Sequence, residues 1–140
     1  MIGFILGARS LLNLRGVHPH LVQVVKLAIK LTPIDFTVLE GTRTAKRQKQ
    51  LVAQGASKTM NSRHIPFPSQ VSVDCKAVWG HAVDIAPYVN RRISWHWPHY
   101  HELAPAIKEA AEELGIPVEW GGDWTSFIDG PHWQLPLDKY

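Results

Sequence analysis

Apolar residues at positions 21, 22, 24, 25, 28 and 29 recur close to the spacing of a helix with one buried face. They predict a helix over Pro19–Leu31, with Pro19 suited to the first turn and Pro33 just beyond the end. The period then changes. Ile34-Asp35-Phe36-Thr37-Val38-Leu39 alternates, with aromatic and β-branched residues, and predicts a strand that runs into a turn at Gly41 and leaves Arg43 just past a strand end. Thr44 to Gln54 holds good helix formers with a mostly basic polar face, and Gly55 stands where a C-terminal cap belongs. Lys46, Arg47 and Lys49 on that face read as solvated surface rather than a binding patch.

Ala56 to Ala77 carries Ser, Asn and two Pro with few apolar repeats, a loop longer than compact domains keep without a functional reason. Val78 to Ile85 reads as a strand, with Val83 and Ile85 on one face and Ala82, Asp84 and Ala86 on the other. After a stretch rich in Trp, His and Tyr (Arg91 to His101), Glu102 to Leu114 predicts a second amphipathic helix closed by Gly115, with Pro105 placed in its first turn. Val118–Trp120 is expected as a short strand, Gly121-Gly122 as a tight turn and His132–Leu135 as a last strand. There are no internal repeats or low-complexity tracts.

Composition adds bounds rather than an identity. A chain of 140 residues suits one domain with a proper core, and 45% apolar against 19% charged residues is ordinary globular composition. No apolar run approaches the roughly 20 residues needed to span a bilayer, so no membrane insertion is expected. The net charge of +3 favours an anionic partner without naming one. A single cysteine, Cys75, excludes an intramolecular disulfide. Met1 to Ala8 is apolar but short, with no basic residue before it and Arg9 after it, and is read as no export signal.

The chemistry concentrates in three stretches: Ser62-Arg63-His64, Gly80-His81-Ala82-Val83-Asp84, and Asp129-Gly130-Pro131-His132. A catalytic zinc usually takes three protein ligands from His, Asp or Glu and leaves a fourth position open. His64, Asp84 and His132 meet that requirement. Asp129, three residues before His132 across a Gly-Pro turn, is placed to take a proton from an attacking water.

These segments resemble the Ser-x-His, Gly-x-Ala-x-Asp and Asp-x-x-His signature of the zinc peptidases that include D-alanyl-D-alanine carboxypeptidases and phage L-alanyl-D-glutamate endopeptidases. Asp35-Phe36-Thr37-Val38-Leu39-Glu40-Gly41-Thr42-Arg43-Thr44 is similar to the family's strand-and-arginine motif, and Trp120-Gly121-Gly122-Asp123-Trp124 to its glycine-rich turn, so the resemblance covers roughly residues 17 to 135 in order. It implies a small α+β domain, a central antiparallel sheet flanked by helices of the Hedgehog and D,D-peptidase type. It implies Zn²⁺ on His64, Asp84 and His132, Asp129 as the catalytic base, Arg43 as a residue that positions or polarises substrate, and Ser62 as a neighbouring substrate contact. The expected substrate is the stem peptide of peptidoglycan, cut at the L-alanyl-D-glutamate bond with water as the nucleophile.

The compact size resembles that of phage lytic enzymes: a single peptidase domain over residues 1–140 without a separate wall-binding module, acting as a monomer. Such an enzyme is expected to stay in the host cytoplasm until a separate membrane-permeabilising protein lets it reach the periplasm and wall. One departure is plain. His64 and Gly80 stand sixteen apart, where family members often have only a few residues, and the excess lies in Ile65 to Val78. A loop lengthens at small entropic cost, so the ligands need not move.

Several rivals stand beside these residues. His81 is the rival ligand, but it is an odd number of residues from Asp84, and alternation along a strand turns the two apart. His18, His20, His96, His99 and His101 are taken as surface or core. Asp123 is taken as a turn residue, and Cys75 as a spare thiol rather than a nucleophile. Trp95, Trp97, Trp124 and Trp133 are able to stack on sugar, and Trp133, next to His132, is the expected groove-lining residue. As to function, a D-alanyl-D-alanine carboxypeptidase of the same fold and a wall-binding module that keeps zinc without catalysis are the alternatives. A nucleic-acid binder is disfavoured because the basic residues form no continuous stripe with interleaved aromatics.

Overall fold

The computed structural model describes residues 3–55, 57, 62–71 and 77–140. The chain runs α1 (Ala8–Asn13), α2 (Pro19–Leu31), β1 (Phe36–Glu40), α3 (Ala45–Ala53), β2 (Phe67–Pro68), β3 (Val78–Trp79), β4 (Ala82–Val89), β5 (Arg92–Ile93), α4 (Trp97–Leu114), β6 (Glu119–Trp120) and β7 (His132–Gln134). It is the expected α+β fold with a small antiparallel sheet and helices beside it. Among the described residues no helix is long and apolar enough to cross a membrane.

Helix α2 is the predicted one, residue for residue. Its β-branched residues cost at most about 0.7 kcal/mol each in helix propensity. Leu21, Val24, Val25 and Ile29 are buried on one face, at a gain of about 1.5–3 kcal/mol each, so burial decides. Helix α3 is capped at its start by the Thr44 side chain, which accepts from the Arg47 N–H at 3.0 Å, and Lys46, Arg47 and Lys49 are exposed as read.

Strand order in the main sheet is β1-β4-β7-β6, with β5 folded back on the far end of β4. The two residues of that hairpin turn, Asn90 and Arg91, have φ of 53° and 63°. Positive φ at both central positions matches the twist of the flanking strands. The register sets Asp84 of β4 opposite His132 of β7 on one side and Glu40 of β1 on the other, where a one-residue irregularity separates Val38 from Glu40. Val83 and Ile85 face the core, where α2 packs on α4 and α4 on β4.

Three expectations change. The strand expected over Val78–Ile85 is two: β3 ends at Trp79 and β4 begins at Ala82. Gly80 between them donates to the Gly16 carbonyl at 2.9 Å and accepts from the His18 N–H at 2.8 Å, so it leaves the main ladder. β4 then runs on through Pro87 to Val89. The proline is tolerated because Tyr88 donates to Asp35 across the β1 side, which turns the position of the missing Pro87 N–H to the other side, where β7 pairing has stopped at Asp84.

The second helix is also longer than expected. It starts at Trp97, five residues early, with Pro98 in its first turn, so Pro105 lies in the helix interior rather than the first turn. Tyr100, buried with its hydroxyl donating to the Ser94 carbonyl at 3.0 Å, ties that extra turn to the core. Pro105 is exposed, and its missing N–H deprives the His101 carbonyl of its helical donor.

The third change concerns Trp133. It is 2% exposed and lies in the core, not in the groove, with its ring stacked on Trp120 at 5.5 Å and 14°. Neighbours in a strand point to opposite faces, so the turn of His132 toward one side commits Trp133 to the other.

Pro105→Ala is expected to stabilise the protein by about 1–2 kcal/mol. An interior proline costs about 3 kcal/mol in a helix, less the about 0.4–1 kcal/mol it contributes by stiffening the unfolded chain and some relief already taken by the fold. A higher urea midpoint at unchanged m-value checks this; an unchanged or lower midpoint contradicts it.

Candidate metal centre

Asp84 projects from β4 with Oδ1 toward two imidazoles and Oδ2 toward a guanidinium. Oδ1 lies 3.3 Å from His64 Nε2 and 3.5 Å from His132 Nδ1, and Oδ2 lies 3.4 Å from Arg43 Nη2. One ligand atom from each of His64, Asp84 and His132 falls within 4.8 Å of the other two. Ligands about 2.0–2.2 Å from a tetrahedral first-row ion sit roughly 3.3–3.6 Å apart, so the two carboxylate–imidazole spacings already match a metal's coordination edges.

The ring nitrogens that face away from Asp84 explain why the facing ones are available. His64 Nδ1 lies 2.7 Å from the Gly41 carbonyl, which only accepts, so Nδ1 carries the proton and Nε2 keeps its lone pair. His132 Nε2 lies 2.8 Å from Gln134 Oε1, which leaves Nδ1 as the donor atom toward a metal. Outer partners of this kind set tautomer and ring orientation at metal sites. Backbone hydrogen bonds lock His64 further: its carbonyl accepts from the Arg43 N–H at 2.8 Å, and its own N–H donates to Ser62 Oγ at 3.2 Å. Gly41 is required here, since a Cβ at that position would meet the Asn13 carbonyl oxygen at 1.8 Å.

Charge follows from the packing. Burial alone would push the Asp84 carboxyl up, but His64 and His132 beside it outweigh that and hold it well below the usual carboxylate range. Burial alone would pull His132 down, yet the hydrogen bond and charge of Asp84, helped by Gln134 and Asp129, raise it above an ordinary imidazole. Asp129 moves the other way from Asp84. Burial and the negative charge of Asp84 push its carboxyl up, against the pull of His132, His64 and Arg43.

Asp129 is fixed by its backbone, with its N–H on the Gly121 carbonyl at 3.0 Å and its carbonyl accepting from His132 at 3.2 Å. A Cβ on Gly121 would come within 2.3 Å of that carbonyl oxygen, so the glycine-rich turn admits the close approach that brings Asp129 beside His132. Arg43 is 8% exposed and holds Glu40 through Nε and Nη2 at 2.8 Å each and Gln48 through Nη1 at 2.7 Å. Its Nη2 also reaches Asp84 Oδ2, at 3.4 Å.

His64, Asp84, His132, Asp129, Arg43 and Ser62 all line one cavity of about 350 Å³. Trp133 does not; its place is taken by Trp95 and Trp124, the latter tilted over His132 at 5.1 Å. His81 is absent from the group as well. It is fully buried, stacked on Phe67 at 3.9 Å, and its pKa is lowered to about 4 by burial, with Arg63 and His18 adding to this. His18 and His20 lie beside it with Tyr140, and Asp123 is in an exposed pair with Lys108. His96 stands at the N-terminal boundary of α4 with no capping bond from its side chain, His99 meets Ser94 Oγ at 2.6 Å and His101 sits edge-on to Trp120, all apart from the cluster. Cys75 lies outside the described residues. The sequence reading missed Glu40, Gly41, Gln48 and Gln134, the partners that hold the site. Only Gln134 had a signal, since two residues after His132 on a strand means the same face.

The family model for phage L-alanyl-D-glutamate peptidase matches residues 2–135. The chain belongs to that family. Among relatives, it is 33% identical to the L-alanyl-D-glutamate peptidase of Escherichia phage T5, over 91% of this chain and 87% of that one. It is 30% identical to the Bacillus subtilis peptidoglycan L-alanyl-D-glutamate endopeptidase CwlK, over 84% of this chain and 72% of that one. The crystal structure of the Serratia marcescens L-Ala D-Glu endopeptidase ChiX superposes with a TM-score of 0.80 at 44% identity, covering 94% of this chain and 89% of that one. The two buried imidazoles and carboxylate of this family member form a group that fits a metal.

Two outcomes test the cluster. Gln134→Leu removes the acceptor that fixes the His132 tautomer and is expected to weaken metal binding about 10–100-fold, measured by competition with a chromophoric chelator. Metal and proton also compete for His132, whose proton affinity is raised in the folded chain. Metal release on acidification is therefore expected to begin above about pH 6.5, the ordinary imidazole value. Affinity that stays flat down to that pH would contradict the raised proton affinity.

Proposed function

We propose that the chain is a zinc-dependent endopeptidase that hydrolyses the L-alanyl-D-glutamate bond of the peptidoglycan stem. The observation that carries this reading is the convergence of His64, Asp84 and His132 with Asp129 on one cavity, in a chain of this peptidase family. The donor set of two neutral imidazoles and a carboxylate suits zinc. His64 Nε2, Asp84 and His132 Nδ1 would hold the zinc, which would supply Lewis acidity toward a carbonyl and toward water near neutral pH.

The protein's own groups do the rest. Asp129 takes a proton from the attacking water as its oxygen adds to the alanyl carbonyl carbon. The amide C–N bond then breaks, and Asp129 returns the proton to the departing glutamate nitrogen. A carboxyl whose proton affinity is raised is suited to both halves of that transfer. Arg43 holds Asp84 in register and presents positive charge to negative charge developing on the substrate, and Ser62, on the same wall, is a substrate contact. On this reading the substrate is the cell-wall peptide, the enzyme acts as a monomer, and it reaches the wall from the host cytoplasm once a separate protein has opened the membrane.

The test is digestion of purified peptidoglycan by wild type and Asp129→Asn, with mass analysis of the released peptides and assay of bound metal. Wild type is expected to expose new D-glutamyl amino termini and to lose this activity on chelation. Asp129→Asn is expected to lower kcat by about 10²–10⁴-fold at unchanged metal content. Release of free D-alanine instead would make it a carboxypeptidase, and no cleavage by metal-loaded wild type would leave a binding module.

A further inference from the structure

The six tryptophans differ in what they touch. Trp97, Trp120 and Trp133 form a stack with near-parallel neighbours at 6.0 and 5.5 Å, Trp124 leans on His132, and Trp79 meets His18 edge-on. Trp95 alone has no ring partner among the described residues, and at 68% exposure it is the most exposed of the six. It nevertheless lines the cavity that holds the metal cluster.

Nor is it a loose side chain on a loose loop. The preceding residue, Ser94, donates its N–H to the Pro87 carbonyl at 2.8 Å and accepts on its own carbonyl from Tyr100 Oη at 3.0 Å. Ser94 Oγ accepts from the His96 N–H at 3.2 Å and meets His99 Nδ1 at 2.6 Å. Both sides of Trp95 are thus tied to β4 and to the first turn of α4, while the indole itself is left to solvent. A large aromatic ring that lines the cavity and is still 68% exposed is open to a ligand there.

We infer that Trp95 is the platform for the sugar that carries the stem peptide, so that the enzyme reads glycan as well as peptide. The inference rests on the proposed substrate. In peptidoglycan, L-alanine is joined through the lactyl ether to N-acetylmuramic acid, so the sugar lies one residue from the scissile bond on the alanine side. The glutamate side is anionic and continues into further charged residues. The aromatic residues Trp95, Trp124 and Phe127 line this cavity together with Arg43 and Arg63, whose guanidiniums are held by Glu40 and Gln48 and by the Leu135 carbonyl. The uncharged sugar, whose ring carries a face of C–H groups, matches an indole. A cavity of about 350 Å³ is at the small end for ligand sites, enough for the scissile dipeptide, with the sugar left to the rim where Trp95 stands.

The experiment compares two substrates on the same enzyme preparation: a stem peptide carrying N-acetylmuramic acid, and the same peptide with an acetyl group in place of the sugar. Wild type is expected to show the higher kcat/KM on the muramyl peptide. In Trp95→Ala the ratio of the two kcat/KM values is expected to fall about tenfold, equivalent to about 1.4 kcal/mol of lost contact, and Trp95→Tyr is expected to keep most of it. Because both substrates are read on one preparation, partial unfolding cancels from the ratio. An equal ratio in wild type and Trp95→Ala overturns the sugar platform while leaving the endopeptidase standing. Failure of metal-loaded wild type to cut either substrate overturns the endopeptidase and this inference with it.

Discussion

A carboxylate removed from water needs partners, and most of this molecule's architecture supplies them to Asp84. Its side chain is only 20% exposed, and the sheet places it between β7, which brings His132, and β1, whose exit brings Arg43. His64 arrives from a loop rather than a strand, and so it needs the most support. Its ring is held by the Gly41 carbonyl and its backbone by Arg43 and Ser62. An isolated buried charge is expensive, whereas one flanked by a guanidinium and by imidazole nitrogens that hold a proton or a metal toward it is tolerable. With the facing nitrogens unprotonated, the same groups aim one carboxylate oxygen and two imidazole lone pairs at a common point, which is the requirement for binding a cation. Charge compensation in the fold and preorganisation of the site are here one arrangement.

The residues that converge on the cavity were legible in the sequence because side chains able to ligate a metal or move a proton are of few types and stand here at tell-tale spacings. Helix α2 was legible for a different reason, its unbroken apolar period and a proline at each end. What failed was alternation at short range. The rule that sends His81 away from Asp84 also sends Trp133 away from His132, and adjacency in sequence was mistaken for adjacency at the groove. The start of α4 was hidden because Trp97, Pro98 and Tyr100 look like an irregular aromatic stretch until Tyr100 is seen to anchor on the Ser94 carbonyl. The partners of the ligands were hardest to read, since a backbone carbonyl such as that of Gly41 has no sequence signature at all.

The excess of chain between His64 and Gly80 enters and leaves through a narrow neck. At one end the Arg63 carbonyl accepts from His81, and a little further on Phe67 and Pro68 pair with Trp79 and Val78. Phe67 also stacks on the buried ring of His81, so the neck is closed by side chains as well as by backbone. Beyond the neck the described chain is tied to the body of the domain as well, with the Gln70 N–H on the Tyr140 carbonyl and His18 Nε2 against the Val71 carbonyl. The candidate ligands flank these ties: His64 stands just before Phe67 and Pro68, Asp84 just after Val78, Trp79 and His81, so what the chain does between the ties is relayed to the cluster through fixed points.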